Sequence, residues 1–142
     1  YEAVGDKAKE WMDARIDRFK ETVDALVAAA PDLEQVGYRL NDLELEISLT
    51  PRVVVFLERD RVEGEEAFAA LLEKYKDSTP LSILIKGLQQ ANAMDRRLCP
   101  RGRKLSCLRV ELGVPPVLSL RYVPGEPVSI PASPEDHSVE DY

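Results

Sequence analysis

Histidine, cysteine and tryptophan are scarce in this chain of 142 residues, which contains one histidine, two cysteines and one tryptophan. Because His137 is the only imidazole, the composition argues against a Ser-His-Asp or Cys-His mechanism and against a metal site with two histidines. The G-x-S-x-G, G-x-G-x-x-G and P-loop motifs are also missing, so the common hydrolase and nucleotide-binding signatures are absent. We therefore expect no cofactor and no metal ion, and we favour a function that is not enzymatic.

Long apolar runs and an excess of positive charge are missing too. The densest apolar stretches, residues 25–30 and 53–57, are far shorter than the run of about 18 residues that a membrane-spanning helix needs. The chain has 26 acidic and 19 basic residues and a formal net charge of -7, which disfavours nucleic acid and anionic membranes as partners. Since no signal-peptide pattern is present either, we expect a soluble cytoplasmic protein.

Apolar residues in the N-terminal part recur in alternating steps of four and three, which is the spacing of one helix face. This spacing predicts a helix over residues 6–30, with Asp6 as the N-cap and Pro31 as the end. The rest of the chain alternates between a strand period of two and a helical period. The predicted elements are, in order, a hairpin over residues 43–57 with its turn at Thr50-Pro51, a charged link over residues 58–63, a short helix from Gly64, a helix to about Leu98 and a hairpin over residues 108–122.

The two predicted hairpins align with each other at a constant offset of 65 residues and without a gap. Identical residues that no apolar pattern requires are paired by the same offset, namely Gly37 with Gly102, Glu46 with Glu111 and Pro51 with Pro116. We predict an α+β fold in which a duplicated helix-β-hairpin unit (αββ-α-αββ) forms a four-stranded antiparallel sheet with the helices on one face. Chance periodicity is the alternative explanation of the offset.

This organisation predicts one α+β domain over residues 1–123. Its pseudo-repeats cover about residues 6–58 and 79–123, and residues 59–78 are an insert between them. Residues 124–142 are rich in proline and acidic residues and contain no lysine or arginine. We expect this tail to be disordered or extended, because such a composition cannot bury enough apolar surface to pack.

Charged side chains of both signs alternate on the face of the predicted sheet that the helices leave open. A solvated face whose charges pair across the strands is the favoured interpretation. Phe56 is the only aromatic residue predicted there, so recognition of single-stranded RNA by stacking is disfavoured. Glu44, Glu46 and Glu111 are an alternative site for a divalent cation or an acid-base pair, if the hairpins meet at a twofold axis. Neutralisation by neighbouring arginines is the favoured interpretation.

The connection between the last helix and the second hairpin concentrates positive charge. Six of the chain's 19 basic residues and none of its acidic residues fall in the loop over residues 96–109, namely Arg96, Arg97, Arg101, Arg103, Lys104 and Arg109. The functional hypothesis is a binding site for an anion or a partner, because arginine matches phosphate and carboxylate groups with two parallel hydrogen bonds. The alternatives are compensation of a helix C-terminus, a solvated loop, and contact with an acidic surface of a second copy.

Cys99 and Cys107 flank the same loop and are eight residues apart. They can form a disulfide in an oxidising compartment or remain reduced as small structural side chains. The reduced, structural interpretation is favoured. Two thiols without a neighbouring histidine do not make a zinc site.

The apolar stripe of the first helix has two interpretations. Its heptad spacing is compatible with a self-associating coiled-coil seam at Met12, Ile16, Phe19 and Val23, whereas the simpler interpretation is a helix that packs on its own sheet. The sequence thus favours a non-catalytic interaction or adaptor domain that self-associates and binds a protein partner. The alternative is a small anion-binding domain or enzyme whose phosphate or carboxylate ligand binds at residues 96–109.

Overall fold

The computed structural model describes residues 2–98 and 100–127, with side chains from residue 5 onward. The predicted tail beyond Pro127 and the thiol of Cys99 therefore lie outside the described residues. The elements are α1 (Glu2–Gln35), β1 (Tyr38–Glu46), β2 (Arg52–Arg59), α2 (Glu65–Lys74), α3 (Thr79–Leu98), β3 (Arg103–Leu112) and β4 (Val117–Pro124).

The four strands form one antiparallel sheet in the order β1-β2-β3-β4, which confirms the predicted α+β class and the four-stranded antiparallel sheet. The apolar alternation of each strand places one set of side chains against α1 and α3. The central contacts join Leu26 and Leu33 of α1, Leu84 and Leu88 of α3, and Val55, Leu57 and Leu108 of the sheet, which are all buried. The two hairpins lie side by side as a meander, so they do not meet at a twofold axis.

Helix α1 is longer than its sequence predicts at both ends. It begins at Glu2, so Asp6 is not its N-cap, and it continues through Pro31 to Gln35. A proline inside a helix removes one backbone hydrogen bond and clashes with the preceding turn. Ala29 and Leu33 on either side of Pro31 are completely buried, and this tertiary packing outweighs the local cost.

Strand β2 is also longer than predicted, because it includes Glu58 and Arg59. The predicted charged link therefore begins only at Asp60. Strand β1, in contrast, ends at Glu46. Ile47 and Leu49 were expected on its apolar face but are 53% and 95% exposed, since they lie past the strand at a turn that no helix covers.

Both connections from a helix to its hairpin contain the same irregularities. Gly37 and Gly102 have positive φ angles of 91° and 71°, a conformation that glycine adopts without strain. The carbonyl of Gly37 accepts a hydrogen bond from Asp60 N at 2.8 Å, and that of Gly102 accepts one from Gly125 N at 3.1 Å. The register also shifts between Leu40 and Asp42 in β1, and between Leu105 and Cys107 in β3. The duplication itself stays a prediction.

Helix α2 lies in the predicted insert and connects the two larger helices. Lys74 Nζ donates to Asp32 Oδ2 at 2.8 Å, and the Tyr75 hydroxyl donates to the same carboxylate. These hydrogen bonds, that of Lys74 first, lower the pKa of Asp32 below its usual range. Since Asp32 belongs to α1 and α2 also packs against α3, the insert holds the helix layer together.

Candidate functional site

The structure distributes the predicted basic loop over three elements. Arg96 and Arg97 are in the last turn of α3, Arg101 precedes the Gly102 turn, Arg103 and Lys104 begin β3, and Arg109 is in the middle of β3. The prediction of one loop over residues 96–109 is therefore wrong in its length. The reason is that Leu105, Leu108 and Val110 are buried against the helices, which extends the strand to Arg103.

Arg109 is engaged within the sheet and not at the loop. Its guanidinium lies 2.5 Å from Glu111 Oε1 and 6.0 Å from the centre of the Phe56 ring, while Arg52 reaches the other Glu111 oxygen at 2.7 Å. The hydrogen bond from Arg109, followed by that from Arg52, lowers the pKa of Glu111. The favoured prediction of charge pairing on the open face is thus confirmed for Glu111.

Three cations remain exposed around the Gly102 turn, and we call Arg101, Arg103 and Lys104 the basic turn. Within the described part of the chain, no carboxylate oxygen lies within 4.0 Å of them. Arg96 is half-buried, with its Nη2 4.0 Å from Glu65 Oε1. Of the six predicted residues, four are therefore exposed without a carboxylate of the described residues within 4.0 Å: Arg97 in the last turn of α3, and the three residues of the basic turn.

Sequence reasoning missed a buried group of polar side chains between α3 and the sheet, which we call the polar cluster: Tyr38, Arg59, Asn92, Asp95 and Tyr122. Arg59 Nη2 lies 2.8 Å from Asp95 Oδ2, and Arg59 Nη1 donates to Asn92 Oδ1 at 3.1 Å. The hydroxyls of Tyr38 and Tyr122 donate to Asn92 Oδ1 at 2.6 Å and to Asp95 Oδ1 at 2.8 Å. Four hydrogen bonds thus join one helix to three strands.

A signal for this cluster is present in the sequence. The buried stripe of α3 runs through Leu84, Leu88 and Ala91 in steps of four and three, and the next step falls on Asp95. A carboxylate at an apolar position needs a cation in the core, because a buried unpaired charge is very costly. Only the register of β2 shows that this cation is Arg59.

The polar cluster has a structural role. The Arg59 and Asp95 side chains are 1% and 9% exposed, so a ligand cannot reach the ion pair without displacing the core. Burial is the main cause that raises the pKa of the Tyr38 phenol far above its usual value, which keeps the hydroxyl protonated as a hydrogen-bond donor. Among the described residues, the amide nitrogen of Asn92 has no hydrogen-bond partner although it is buried, and an unpaired buried donor typically costs about 1–3 kcal/mol.

The opposite end of the sheet, which we call the turn end, consists of the β1–β2 and β3–β4 turns and the start of α3. A groove of about 240 Å³ opens there, with Phe19, Pro51, Ile83 and Val114 among its lining residues. Among the residues whose side chains the structure describes, eight of the eleven exposed large hydrophobic ones belong to this end or to the part of α1 that extends past it. They are Trp11, Met12, Ile16, Leu45, Ile47, Leu49, Val114 and Val117.

The predicted self-association stripe is divided by the fold. Phe19 and Val23 are half-buried, and Phe19 packs against the core. Met12 and Ile16 are 37% and 49% exposed, because α1 has already passed the β1–β2 turn at this point. Residues 2–18 therefore form a free helical segment about 25 Å long, which we call the free half of α1.

In the described part of the chain, no group of three or more acidic, cysteine or histidine residues is placed to hold a metal ion. Cys107 is a half-buried free thiol there. None of the described helices combines the length and apolar character that a membrane span requires. Comparisons with protein families, with curated proteins and with solved structures found no match for this chain.

Proposed function

We propose that this chain is a non-catalytic interaction domain that binds a protein partner through the free half of α1 and associates with further copies of itself. The observation that supports the proposal is the exposure of Met12 and Ile16 on the part of α1 that extends past the sheet. Contiguous exposed apolar surface of this kind is typical of protein-binding sites. An amphipathic helical segment with exposed apolar side chains gains stability when a second helix covers them.

The charges beside the stripe indicate which partner fits. By helical periodicity, one side of the stripe carries Lys7, Arg15 and Arg18 without an acidic residue. This side also holds Trp11, whose ring lies 4.7 Å from the Arg15 guanidinium. The other side is predominantly acidic, with Asp6, Asp13, Asp17 and Asp24 around Lys9 and Lys20.

A second copy does not suit this stripe. An antiparallel twofold pair places the same side of each helix together, so Arg15 and Arg18 face the same residues of the other copy. In a parallel pair, the contact between the two helices continues along the stripe toward Leu26. This part of the stripe already packs against the sheet of its own chain, so a second helix cannot cover it. We therefore assign the stripe to an amphipathic helix of another protein, with acidic residues on the side that faces Arg15 and Arg18.

The single tryptophan, Trp11, provides the test. The intact chain is titrated with two designed helical peptides that share one apolar stripe and differ only in glutamate or lysine flanks, and Trp11 emission is measured. We expect the glutamate peptide to bind roughly tenfold more tightly. The reason is that several charge pairs, each worth about 0.3–0.5 kcal/mol, are attractive with glutamate flanks and repulsive with lysine flanks. Added salt should reduce this difference. Equal binding of the two peptides, or no change in emission with either, would contradict the assignment.

Variants of α1 locate the contact. Met12→Asp and Ile16→Asp should abolish peptide binding, since each places a charge in the apolar stripe. Val27→Asp is the matched control, because Val27 is 55% exposed on the same helix but lies in its C-terminal half. This control should bind the glutamate peptide as the unchanged chain does.

A second candidate function is anion binding at the basic turn. The favouring observation is that three exposed cations surround Gly102 while no carboxylate of the described residues pairs with them. Under this hypothesis, phosphate raises the melting temperature of the chain, and replacement of Arg101, Arg103 and Lys104 by serine removes the increase. A melting temperature that phosphate does not change would reject this function and leave the partner-binding proposal intact.

The domain is also proposed to be a tandem of two helix-hairpin units, as the offset of 65 residues predicts. The bounds of β2, Arg52–Arg59, and of β4, Val117–Pro124, differ by this offset at both ends. The positive-φ glycines, the register shifts and the hydrogen bonds that close each unit follow the same offset. Similar irregularities at equivalent positions support the proposal more than shared apolar periodicity does.

A further inference from the structure

Strands β1 and β4 are the outer strands of the sheet within the described residues. Each outer strand presents a row of backbone N–H and C=O groups to which a further strand can bind. At the β1 edge, Leu45 is 43% exposed, and Ile47, which directly follows the last residue of the strand, is 53% exposed. Their alternation with Leu43 places both on the helix side of the sheet. The β1 edge thus combines free backbone groups with uncovered apolar side chains.

The junction inside the molecule shows how two units of this sequence join. Strand β2 of the first unit pairs antiparallel with β3 of the second. On the helix side, the opposing residues are Val53 with Leu112, Val55 with Val110 and Leu57 with Leu108. This junction is apolar toward the helices, and on the open side Phe56 lies opposite Arg109.

When the offset of 65 residues is applied to this junction, it predicts a contact between two molecules in the same register. Each residue of β2 is replaced by the residue 65 positions later, in β4, and each residue of β3 by the residue 65 positions earlier, in β1. The resulting pairs on the helix side are Leu118 with Ile47, Leu120 with Leu45 and Tyr122 with Leu43. On the open side, Arg121 comes to lie opposite Glu44. On the helix side every apolar residue meets an apolar one, and the charged pair on the open side has opposite signs. The same register places Ser119 opposite Glu46 and Val123 opposite Asp42 on the open side.

We infer that β4 of one copy pairs antiparallel with β1 of a second copy, in the register that β2 and β3 use within the chain. The inference deepens the proposed self-association and rests on the proposed tandem units. A β4 to β1 contact covers Leu45 and Ile47 with the next copy, and it satisfies the backbone groups of both edges.

Charge favours this head-to-tail arrangement over symmetric ones. The open side of β1 carries Asp42, Glu44 and Glu46, whereas β4 carries Arg121 and its neighbour β3 carries Arg109. A symmetric β1 to β1 contact brings acidic residues together, and a symmetric β4 to β4 contact brings arginines together. Like charges on directly opposed strands are destabilising.

A head-to-tail contact leaves one free β1 and one free β4 in every open assembly. Association therefore continues with concentration and forms a ring or an open chain of copies, unlike a symmetric dimer. The average mass of the chain should rise steadily with protein concentration instead of reaching a plateau at two copies.

Charge reversal tests the register. Sedimentation of the full chain over a range of concentrations is compared for Glu44→Arg, for Arg121→Glu and for the variant that carries both. Each single change should weaken association roughly tenfold, because it places like charges opposite each other. The double variant, and an equal mixture of the two single variants, should recover it. Glu73→Arg, on an exposed site of α2, is the control for net charge and should associate as the unchanged chain does.

Each outcome has a definite meaning. A chain that stays monomeric at all concentrations, or single variants that associate normally, would overturn the β4 to β1 contact. A mass that stops at two copies would point to a symmetric interface and also overturn it. Since the peptide titration at Trp11 does not involve the sheet edges, partner binding can succeed or fail independently of this result.

Discussion

The two ends of the sheet depart from the usual separation of apolar core and polar surface in opposite directions. At the end where helices join strands, the fold buries Arg59 and Asp95. At the turn end, it leaves Leu49 and Val114 almost fully exposed. The buried charges bind each other and hold α3 on the sheet, whereas the exposed apolar groups lie almost entirely in solvent. The first end therefore contributes to the stability of the fold, and the second leaves apolar surface exposed to solvent.

The largest effect is expected from breaking the ion pair of the polar cluster. Asp95→Ala leaves the Arg59 guanidinium, whose side chain is 1% exposed, without its counter-charge, and should reduce the free energy of unfolding by about 3–5 kcal/mol. Urea denaturation measures the loss. Lys76→Ala removes an ion pair whose side chains are 63% and 74% exposed and should change stability by less than about 1 kcal/mol. Equal losses in the two variants would remove the distinction between the ends.

The second prediction compares the two equivalent glycines at the same end. A Cβ at Gly37 would lie 2.1 Å from the Arg61 carbonyl oxygen, whereas a Cβ at Gly102 meets nothing within 4 Å. Gly102→Ala should cost only the strain of a positive φ, about 1–2 kcal/mol, and Gly37→Ala should cost clearly more because the backbone of residue 61 must move. Thermal denaturation of the two variants gives the order. The reverse order would show that the second connection is the tighter one.

The third prediction concerns the turn end, where substitutions should leave stability nearly unchanged. Leu49→Ser and Val114→Ser remove side chains that are 95% and 100% exposed, so the free energy of unfolding should change by no more than about 0.5 kcal/mol. Leu84→Ala is the buried control and should cost about 2–5 kcal/mol. A large loss from the exposed substitutions would mean that the turn end belongs to the core.

The smallest effect is a pH dependence at Glu111 on the open face. Its hydrogen bonds to Arg109 and Arg52 lower the pKa of the folded carboxyl below the ordinary value of 4.5, so the ionised group stabilises the fold above that pH. The contribution is lost as the pH falls below 4.5 toward the folded pKa. Glu111→Gln should thus be less stable than the unchanged chain at neutral pH, and the difference should shrink in acid.

Denaturation at several pH values measures this convergence. Glu66→Gln, at an exposed position of α2, is the control and should not converge with the unchanged chain in the same way. A difference for Glu111→Gln that grows as the pH falls would contradict the assigned direction of the pKa.

Much of the fold follows from short-range pattern. The steps of four and three in α1 and α3, and the period of two in the strands, place the hairpins and helices close to where the structure has them. Local rules failed at Pro31, where buried neighbours override a helix-breaking residue. They failed again at Arg59, which was predicted to lie in a charged link and not in a strand. The reason is that its counter-charge, Asp95, is 36 residues away in the sequence.

The candidate site was predicted less completely than the fold. The sequence located Arg101, Arg103 and Lys104 in one basic stretch, and they are together and exposed in the structure. It also grouped Arg109 with them because of proximity along the chain, although the hairpin predicted over residues 108–122 includes this residue. In the structure Arg109 lies in β3 and pairs with Glu111. Met12 and Phe19 share one stripe, yet only the position of the sheet decides that Phe19 packs against the core and Met12 does not.

Side-chain periodicity and turn chemistry are local properties, and they were sufficient for the α+β class, the two hairpins and the glycine connections. Which charges are buried, which apolar residues remain exposed and which strand edges stay open depend on contacts between residues far apart in the chain. The polar cluster needs α3 and three strands in one register, and the free half of α1 exists only because the sheet ends at the β1–β2 turn. These long-range contacts separate an end with buried charges from an end with exposed apolar side chains in this protein.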